Sequence, residues 1–472
     1  MPNLFGVLAK SGERKIMSLL LVVFFFLGQV LSHELGGKML EKNYEYIDNI
    51  LHIGGVSTLK LAEEYGTPLY VYDQKLIKDT AACFLENFKS DSLKTEVIYA
   101  SKALSNLYIL GLLAKKGTFV DAVSMGEIFL ALKAGFKPEK IHFHGNNKTR
   151  EELAYAIDNN IGLIIIDNYD EFKLIEELLL GSDKKIDCLL RINPDVKTST
   201  NKYIQTSNSD SKFGINIRDE KLNAIIKEMA NSKAIKLLGF HAHIGSQVNE
   251  LGFFKEEADI LLKFTKQMEE ALNYKFKAIN FGGGFGVRQN TSDPSYDLGA
   301  FLKEFIGYIE KSIKDYDLSI DTVGIEPGRS MVNQAGTTLY RVGSVKHTLE
   351  GYPLVFVDGG MSDNIRPSLY GAKYDALLAN RAKGEAYQTY RVAGKLCESG
   401  DILIDEARLN NPQKGDILAI ENTGAYSLAM SSSYNKQLKP AVVFVEDGKA
   451  SLAVKREALE DLIVNDLEYV EE

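Results

Sequence analysis

The feature that most constrains the fold is a series of eight short apolar segments that alternate with amphipathic stretches between residues 97 and 326. Such alternation indicates parallel strands connected by crossover helices. Eight units in roughly 250 residues are typical of a (β/α)8 barrel, although a doubly wound open sheet could also hold eight strands. The predicted strands are 97–101, 119–123, 141–144, 162–167, 186–192, 236–243, 278–281 and 322–326.

Each predicted strand is followed by a small, polar or charged residue. In a barrel the carboxyl ends of all strands converge on one face, where active sites form. Lysine, acidic, histidine and arginine side chains would therefore meet at one cavity. The strand-end positions are Lys102, Ser124, 145–147, Asp167, 193–194, 245–246, 282–284 and 326–329.

The chain changes character after residue 330. Residues 331–472 contain strand-like runs without long helices, which predicts a separate β-rich domain. Residues 75–330 form the predicted barrel, and residues 39–74 are expected to join the β-domain through a strand at 68–72. The predicted fold class is α/β, a (β/α)8 TIM-like barrel with a C-terminal β-domain.

Residues 1–38 precede this globular pattern and are set apart from the fold. The apolar run 16–31 follows Lys10, Arg14 and Lys15, an order typical of a signal-peptide core. A start codon assigned upstream of the true one is the alternative. We expect a cytoplasmic protein, and export is the second possibility that this segment leaves open.

Length, charge and cysteine content indicate a two-domain soluble enzyme. A chain of 472 residues is long for one hydrophobic core. The net charge of -9 argues against nucleic acid or an anionic membrane as the main partner. The three cysteines, Cys83, Cys188 and Cys397, are few and odd in number, which excludes a disulfide framework.

Two strand-end elements suggest covalent and anion binding. Lys102 could form a Schiff base if it lies in partly desolvated, electropositive surroundings, although strand-end lysines are more often surface residues. The glycines of 281–286 let backbone N–H groups approach an anion. Their spacing is not GxGxxG, so a lone phosphate fits better than a dinucleotide. Ser246 could add a hydroxyl to the same anion.

Two other polar segments carry candidate reactive groups. Glu326 and Arg329 could form an ordinary surface ion pair, which would stabilise little; alternatively, Glu326 could face the ring nitrogen of a cofactor. Cys397 lies in the polar segment 396–401. Buried free cysteines are usually structural, but these surroundings suit a thiol that donates a proton.

Two His-x-His pairs, His142/His144 and His241/His243, present their side chains on one side of a strand and could each chelate a metal. A metal-dependent barrel hydrolase is therefore an alternative. A metal site needs further ligands, and no comparable element follows another predicted strand, so no metal is expected. His243 is instead expected to lie flat over an aromatic cofactor.

Taken together, these segments resemble the diaminopimelate decarboxylase family, whose fold type is shared with eukaryotic ornithine decarboxylase and alanine racemase. The resemblance runs from about residue 44 to 465. The motifs that carry it are 99–106 (YASKALSN), 143–148 (FHGNNK), 211–214 (SKFG), 241–247 (HAHIGSQ), 282–286 (GGGFG), 326–330 (EPGRS), 358–372 (DGGMSDNIRPSLYGA), 397–401 (CESGD) and 423–426 (TGAY).

The resemblance implies pyridoxal 5'-phosphate (PLP) as cofactor and a homodimer with shared active sites. Lys102 would be the Schiff-base lysine, and Cys397 would donate a proton from the partner subunit. The implied cofactor-binding residues are Lys102, His243, Ser246, Gly283, Gly284, Glu326, Gly328, Arg329 and Tyr426. The implied substrate-binding residues are Arg329, Arg366, Tyr370, Glu398 and Tyr426.

The resemblance further implies decarboxylation of meso-diaminopimelate to L-lysine, the last step of lysine biosynthesis. Arginines suit the distal carboxylate and Glu398 suits the distal ammonium. The alternatives are a decarboxylase of ornithine, arginine or carboxynorspermidine, and a non-catalytic PLP-binding protein. Met125, Asn201 and Ser207 depart from the family pattern, and none of them has an implied catalytic role.

Overall fold

The computed structural model describes residues 40–195, 211–381 and 384–470. The extension 1–38 and the loop positions Asn201 and Ser207 lie outside these ranges. Among the helices of the described ranges, none is both long enough and apolar enough to cross a membrane.

The described chain begins with a small antiparallel sheet, followed by a strand that belongs to a different sheet. The small sheet consists of β1 (Tyr44–Ile47), β2 (Ile50–Ile53) and β3 (Val56–Ser57). Helix α1 (Thr58–Tyr65), strand β4 (Leu69–Asp73) and helix α2 (Gln74–Asn87) then lead to the barrel.

Eight parallel strands form a closed barrel. Every strand pairs with its neighbour, and the ring closes between the last strand, β13, and the first, β5. The predicted barrel is therefore confirmed and the open sheet is excluded. The strands are β5 (Lys94–Ala100), β6 (Phe119–Ala122), β7 (Ile141–Phe143), β8 (Leu163–Ile166), β9 (Ile186–Asn193), β11 (Ile235–His241), β12 (Ala278–Asn280) and β13 (Thr322–Ile325), and β10 (Ile215–Asn216) pairs with β9 beside the ring.

Side-chain caps mark the start of several barrel helices. Asn106 accepts hydrogen bonds from two backbone N–H groups of the next helix, and Ser124 and Asn168 each accept one. Thr149 forms a capping box with Glu152. The helices are α3 (Leu107–Lys116), α4 (Met125–Lys133), α5 (Arg150–Asp158), α6 (Tyr169–Leu178), α7 (Leu222–Asn231), α8 (Leu251–Leu272), α9 (Leu298–Asp315) and α10 (Arg329–Val332).

The second unit is β-rich, as predicted. Strand β4 lies between β14 and β20, antiparallel to the first and parallel to the second, so an early segment of the chain completes a late sheet. The elements after the barrel are β14 (Gly336–Lys346), β15 (Leu354–Val357), α11 (Arg366–Tyr370), β16 (Ala376–Leu378), β17 (Tyr387–Ala393), β18 (Ile402–Asn410), β19 (Ile417–Glu421), β20 (Ala441–Glu446) and β21 (Lys449–Val454). Short 3-10 turns occur at Ser101–Ala103, Pro138–Lys140, Leu428–Met430, Tyr434–Lys436 and Leu459–Ile463.

Aromatic packing fixes the glycine-rich turn after β12. The ring of Phe285, within this turn, stacks on Phe254 of α8 with 4.9 Å between centroids. Phe254 also meets Phe301 and Phe305 of α9 edge-on. Because Phe285 is anchored on two helices, the glycines before it are held in place at the end of the barrel.

A buried ion pair joins the loop after β7 to helix α6, which follows β8. Lys148 Nζ lies 2.6 Å from Glu171 Oε1 and also donates to the carbonyl oxygens of Gly145 and Ile165. Both side chains are almost fully buried. Burial raises the pKa of Glu171, and Lys148 opposes that rise. The pair is stabilising only while both partners are present.

We expect Lys148→Met to destabilise the holoenzyme by about 3–5 kcal/mol, because it leaves the Glu171 carboxylate buried and unpaired. The double variant Lys148→Met/Glu171→Leu should recover most of this loss. Urea unfolding followed by circular dichroism measures both. The matched control is Lys173→Met, which removes an exposed pair with Glu228 and should cost less than about 1 kcal/mol. Equal shifts for the two single variants would contradict the prediction.

Candidate active site

A pocket lies at the carboxyl ends of the barrel strands. It contains all nine residues that the sequence predicted to bind the cofactor. The pocket residues are Ala100, Lys102, His243, Gly245, Ser246, Gly283, Gly284, Phe285, Glu326, Gly328, Arg329, Ser330 and Tyr426.

Lys102 projects into this pocket from the 3-10 turn that directly follows β5. Its side chain is 43% exposed, and its Nζ lies 3.5 Å from Asp121 Oδ2. Desolvation is the largest influence and acts to lower the pKa of Lys102, but Asp121, Tyr426 and Glu326 together outweigh it and the pKa is raised. The expectation of electropositive surroundings is therefore wrong, because a fully buried carboxylate on the neighbouring strand faces the amine.

The turn that carries Lys102 is held by Glu127, a residue that sequence reasoning did not single out. Glu127 Oε2 accepts hydrogen bonds from Ser101 Oγ and from the backbone N–H of Val123, both at 2.8 Å. Burial raises the pKa of the Glu127 carboxyl group. One carboxylate thus fixes the ends of β5 and β6 relative to each other and positions Lys102 against Asp121.

Glu326 is buried at the end of β13 and is surrounded by three polar side chains. Its Oε1 accepts a 2.7 Å hydrogen bond from Asn280 Nδ2 and lies 3.0 Å from His144 Nε2. Its Oε2 lies 3.2 Å from His241 Nε2. Burial alone would raise the pKa of Glu326, but His144 and His241 lower it well below its usual range. Glu326 is therefore held as a carboxylate.

Both histidines beside Glu326 belong to His-x-His pairs, which were the signal in the sequence for this cluster. Their ligand atoms and a Glu326 oxygen lie within 4.8 Å of one another, close enough to hold a metal ion. The pairs do not act as two chelating units, however. His142 lies 3.7 Å from Glu96, and His243 contacts the glycine turn instead.

His243 lies against the glycine turn as a neutral imidazole. The backbone N–H of Gly283 donates to His243 Nδ1 at 3.0 Å, so this nitrogen carries no proton. Burial lowers the pKa of His243 well below its usual value, and Lys102 lowers it further. A side chain at Gly283 would place Cβ 2.1 Å from the carbonyl oxygen of Glu326. Only glycine allows the backbone to come this close.

Two buried arginines lie on the ring of Tyr426. Arg329 is 4.8 Å and Arg366 is 5.4 Å from the ring centroid. Within the described ranges, no carboxylate oxygen lies within 4.0 Å of either guanidinium group. Burial lowers the pKa of Arg329 to about 10, and Arg366 contributes to this shift. Adjacent buried cations without a carboxylate form a site for an anion.

The backbone of Tyr426 connects the two domains at this site. Its N–H donates to the carbonyl oxygen of Ala103, next to Lys102, at 2.8 Å. Its φ of 66° is unusual for a bulky residue. Tyr370 also contacts Arg366, whose guanidinium carbon is 5.2 Å from the Tyr370 ring centroid.

Cys397 and Glu398 lie outside the pocket of their own chain. Both are exposed, in a loop that the carboxylate of Asp401 fixes by accepting from the backbone N–H groups of Met361 and Leu396. The Cys397 N–H donates to Asn435 Oδ1 at 2.8 Å. The structure therefore brings together the predicted cofactor residues and both arginines, but not the predicted proton donor.

Comparison with known proteins gives a consistent result. Residues 75–333 match the family model described as pyridoxal-dependent decarboxylase, pyridoxal binding domain. Diaminopimelate decarboxylase of Bacillus subtilis is 46% identical over 89% of this chain and 95% of its own length. The Staphylococcus aureus enzyme is 43% identical over 88% and 97%.

Solved structures agree with this assignment. Diaminopimelate decarboxylase from M. jannaschii, in co-complex with L-lysine, superposes with a TM-score of 0.85 at 31% identity, over 92% of this chain and 99% of that one. The Helicobacter pylori enzyme, also complexed with L-lysine, has a TM-score of 0.77 at 33% identity, over 86% and 98%. The resemblance inferred from the motifs is confirmed, and the chain belongs to the diaminopimelate decarboxylase family of pyridoxal-dependent decarboxylases.

Proposed function

We propose that this protein removes carbon dioxide from meso-diaminopimelate to give L-lysine, with PLP bound at Lys102. The observation that carries this proposal is the pair of buried arginines, Arg329 and Arg366, on the ring of Tyr426. Diaminopimelate has a carboxylate at each end, and an arginine pair suits a carboxylate that is not the one lost. Ornithine lacks this group and would leave a buried guanidinium unpaired.

The residues of the pocket fit PLP. The Gly284 backbone and the Ser246 hydroxyl offer donors to a phosphate, while the Gly283 N–H is already bonded to His243 and Gly283 serves by its lack of a side chain. The neutral His243 imidazole would pack on the ring, and the Glu326 carboxylate would face the pyridine nitrogen. Bound PLP supplies an electron sink for the electrons left by the departing carbon dioxide.

The polar groups of the pocket would manage protons around this sink. Glu326, held ionised by its three neighbours, would keep a proton on the ring nitrogen. Asp121 raises the pKa of Lys102 and would keep a proton on Nζ whenever this amine is not bound to the cofactor. Arg366 and Tyr370 would orient the distal end of the substrate, so that the reacting end lies at Lys102.

We further propose a homodimer in which Cys397 and Glu398 complete the pocket of the partner subunit. Two observations support this arrangement. The single-chain pocket lacks a thiol among its lining residues in the described ranges, and the loop of Cys397 is rigidly held yet exposed. In the partner's pocket, the thiol would protonate the carbon that lost carbon dioxide, and Glu398 would bind the distal ammonium.

Borohydride reduction of the holoenzyme should attach the cofactor to a peptide that contains Lys102, because reduction traps the bond between the amine and the cofactor aldehyde. Digestion and mass spectrometry identify the labelled lysine. Lys148, whose buried amine lies in the segment between β7 and α5, serves as the internal comparison. Label on any lysine other than Lys102 would contradict the assignment.

Replacing Arg366 should weaken recognition of the distal carboxylate. We expect Arg366→Met to lower kcat/KM for meso-diaminopimelate by about 10- to 100-fold, the loss typical of one charge-assisted hydrogen-bonded contact. Carbon dioxide release is measured with meso-diaminopimelate, ornithine and arginine. The control Arg391→Met removes an exposed arginine paired with Asp405 and should change nothing. A wild-type preference for ornithine would overturn the proposed substrate.

Shared active sites predict complementation between two inactive variants. Lys102→Ala and Cys397→Ala should each lose nearly all turnover, and Cys397→Ala should retain the cofactor absorbance. Co-refolded in equal amounts, they should regain about a quarter of wild-type activity, because half of the dimers are mixed and each mixed dimer has one intact site. Cys83→Ala, at a half-buried free cysteine, is the control. No recovery in verified mixed dimers would refute site sharing.

A further inference from the structure

His144 occupies a position between the two ends of the pocket. It directly follows β7, where its backbone N–H still pairs with the carbonyl oxygen of Ala122. Its Nε2 lies 3.0 Å from Glu326 Oε1 and 3.9 Å from Asp121 Oδ1. The His144 side chain is only 5% exposed, so bulk solvent does not separate it from these two carboxylates.

The Asp121 carboxylate has few polar neighbours in the described ranges. It is fully buried, and neither of its oxygens has a hydrogen-bond partner within the described ranges. Within 4.0 Å in the described ranges, the cationic or potentially cationic groups are Lys102 Nζ at 3.5 Å and His144 Nε2 at 3.9 Å, and the buried Arg191 interacts with it electrostatically from farther away. A carboxylate in such a place needs a positive or donating neighbour to remain ionised.

We propose that His144 is a positioning residue that joins the carboxylate at the ring-nitrogen end of the cofactor, Glu326, to the carboxylate beside the Schiff-base lysine, Asp121. This inference rests on the roles proposed above for Glu326 and Lys102. His144 does not touch the substrate. It keeps Glu326 oriented and ionised through its single Nε2–H, and its imidazole separates Glu326 from Asp121, which lies 3.9 Å from the same nitrogen.

The orientation of Asn280 favours this role over a metal site. The backbone N–H of Gly282 donates to Asn280 Oδ1 at 2.8 Å, so Asn280 Nδ2 must face Glu326 Oε1 as a donor. The same oxygen that lies 3.0 Å from His144 therefore already accepts a hydrogen. A carboxylate oxygen that already accepts a hydrogen bond suits a group held in position by hydrogen-bond donors better than it suits a metal ligand.

The test compares holoenzymes that carry PLP labelled with 15N at the ring nitrogen. His144→Phe removes the donor and keeps a planar ring, and His144→Gln retains a donor. The matched control is His142→Gln, two residues earlier, in β7, and similarly buried, whose imidazole faces Glu96 and not Glu326. The measurements are the 15N chemical shift, kcat and KM separately, borohydride labelling of Lys102, and metal content by mass spectrometry.

We expect His144→Phe to move the 15N signal of the ring nitrogen towards its unprotonated position. It should also lower kcat by about 10- to 100-fold, because one hydrogen bond to a charged group is lost. KM should change less than about 3-fold. His144→Gln should recover most of both, and His142→Gln should leave both unchanged. If His144→Phe does not fold, His144→Leu replaces it.

Three outcomes would overturn the inference. The first is an unchanged 15N signal and kcat in the variant that lacks the donor. The second is an equal loss in His142→Gln, which would indicate general barrel packing. The third is one tightly bound metal ion per chain in the wild-type enzyme. Absence of borohydride labelling at Lys102 in the wild-type enzyme would instead refute the proposed function. Failure of the inference on His144 and failure of the proposed function are therefore distinguishable.

Discussion

The structure of the site depends on the burial of one carboxylate. Glu326 lies at the centre of the barrel end, where water cannot solvate its charge, so the protein must provide donors. The polar side chains around it come from three different places in the sequence: Asn280 at the end of β12, which donates to it, His241 at the end of β11, which is hydrogen-bonded to it, and His144 just after β7, whose Nε2 lies 3.0 Å away. The carboxylate at the end of β13 thus has neighbours from three other barrel segments. The geometry of the site therefore depends on closure of the barrel.

A second set of contacts brings the β-domain onto the barrel. The amide of Tyr426 is bonded to the carbonyl of Ala103, so the turn that carries Lys102 and the loop that carries the tyrosine ring cannot move independently. Two arginines, one from each domain, then lie on that ring. Their mutual repulsion is a cost that a bound carboxylate would relieve. The anion site is therefore built by docking of the domains and belongs to neither alone.

Much of the fold could be predicted because barrel strands read as apolar runs whose ends carry the polar residues. All eight predicted strands match observed ones within a few residues.

The electrostatics could not be predicted in this way. Asp121 lies inside the run FVDAV, and its effect on Lys102 follows from pairing of β5 with β6, which places Ala100 opposite Asp121. The electropositive setting expected for Lys102 was wrong for this reason. Asn280 likewise gave no local signal, since its partner is 46 residues away.

The loop of Cys397 presents a different physical problem from the buried pocket. Asp401 accepts from the N–H groups of Leu396 and Met361, and burial raises the pKa of Asp401 while these bonds oppose the rise. The loop therefore keeps its shape although its tip is exposed. A preformed loop loses little conformational entropy when another surface covers it. A thiol fixed on such a loop can therefore be placed against a second surface at a low cost in conformational entropy.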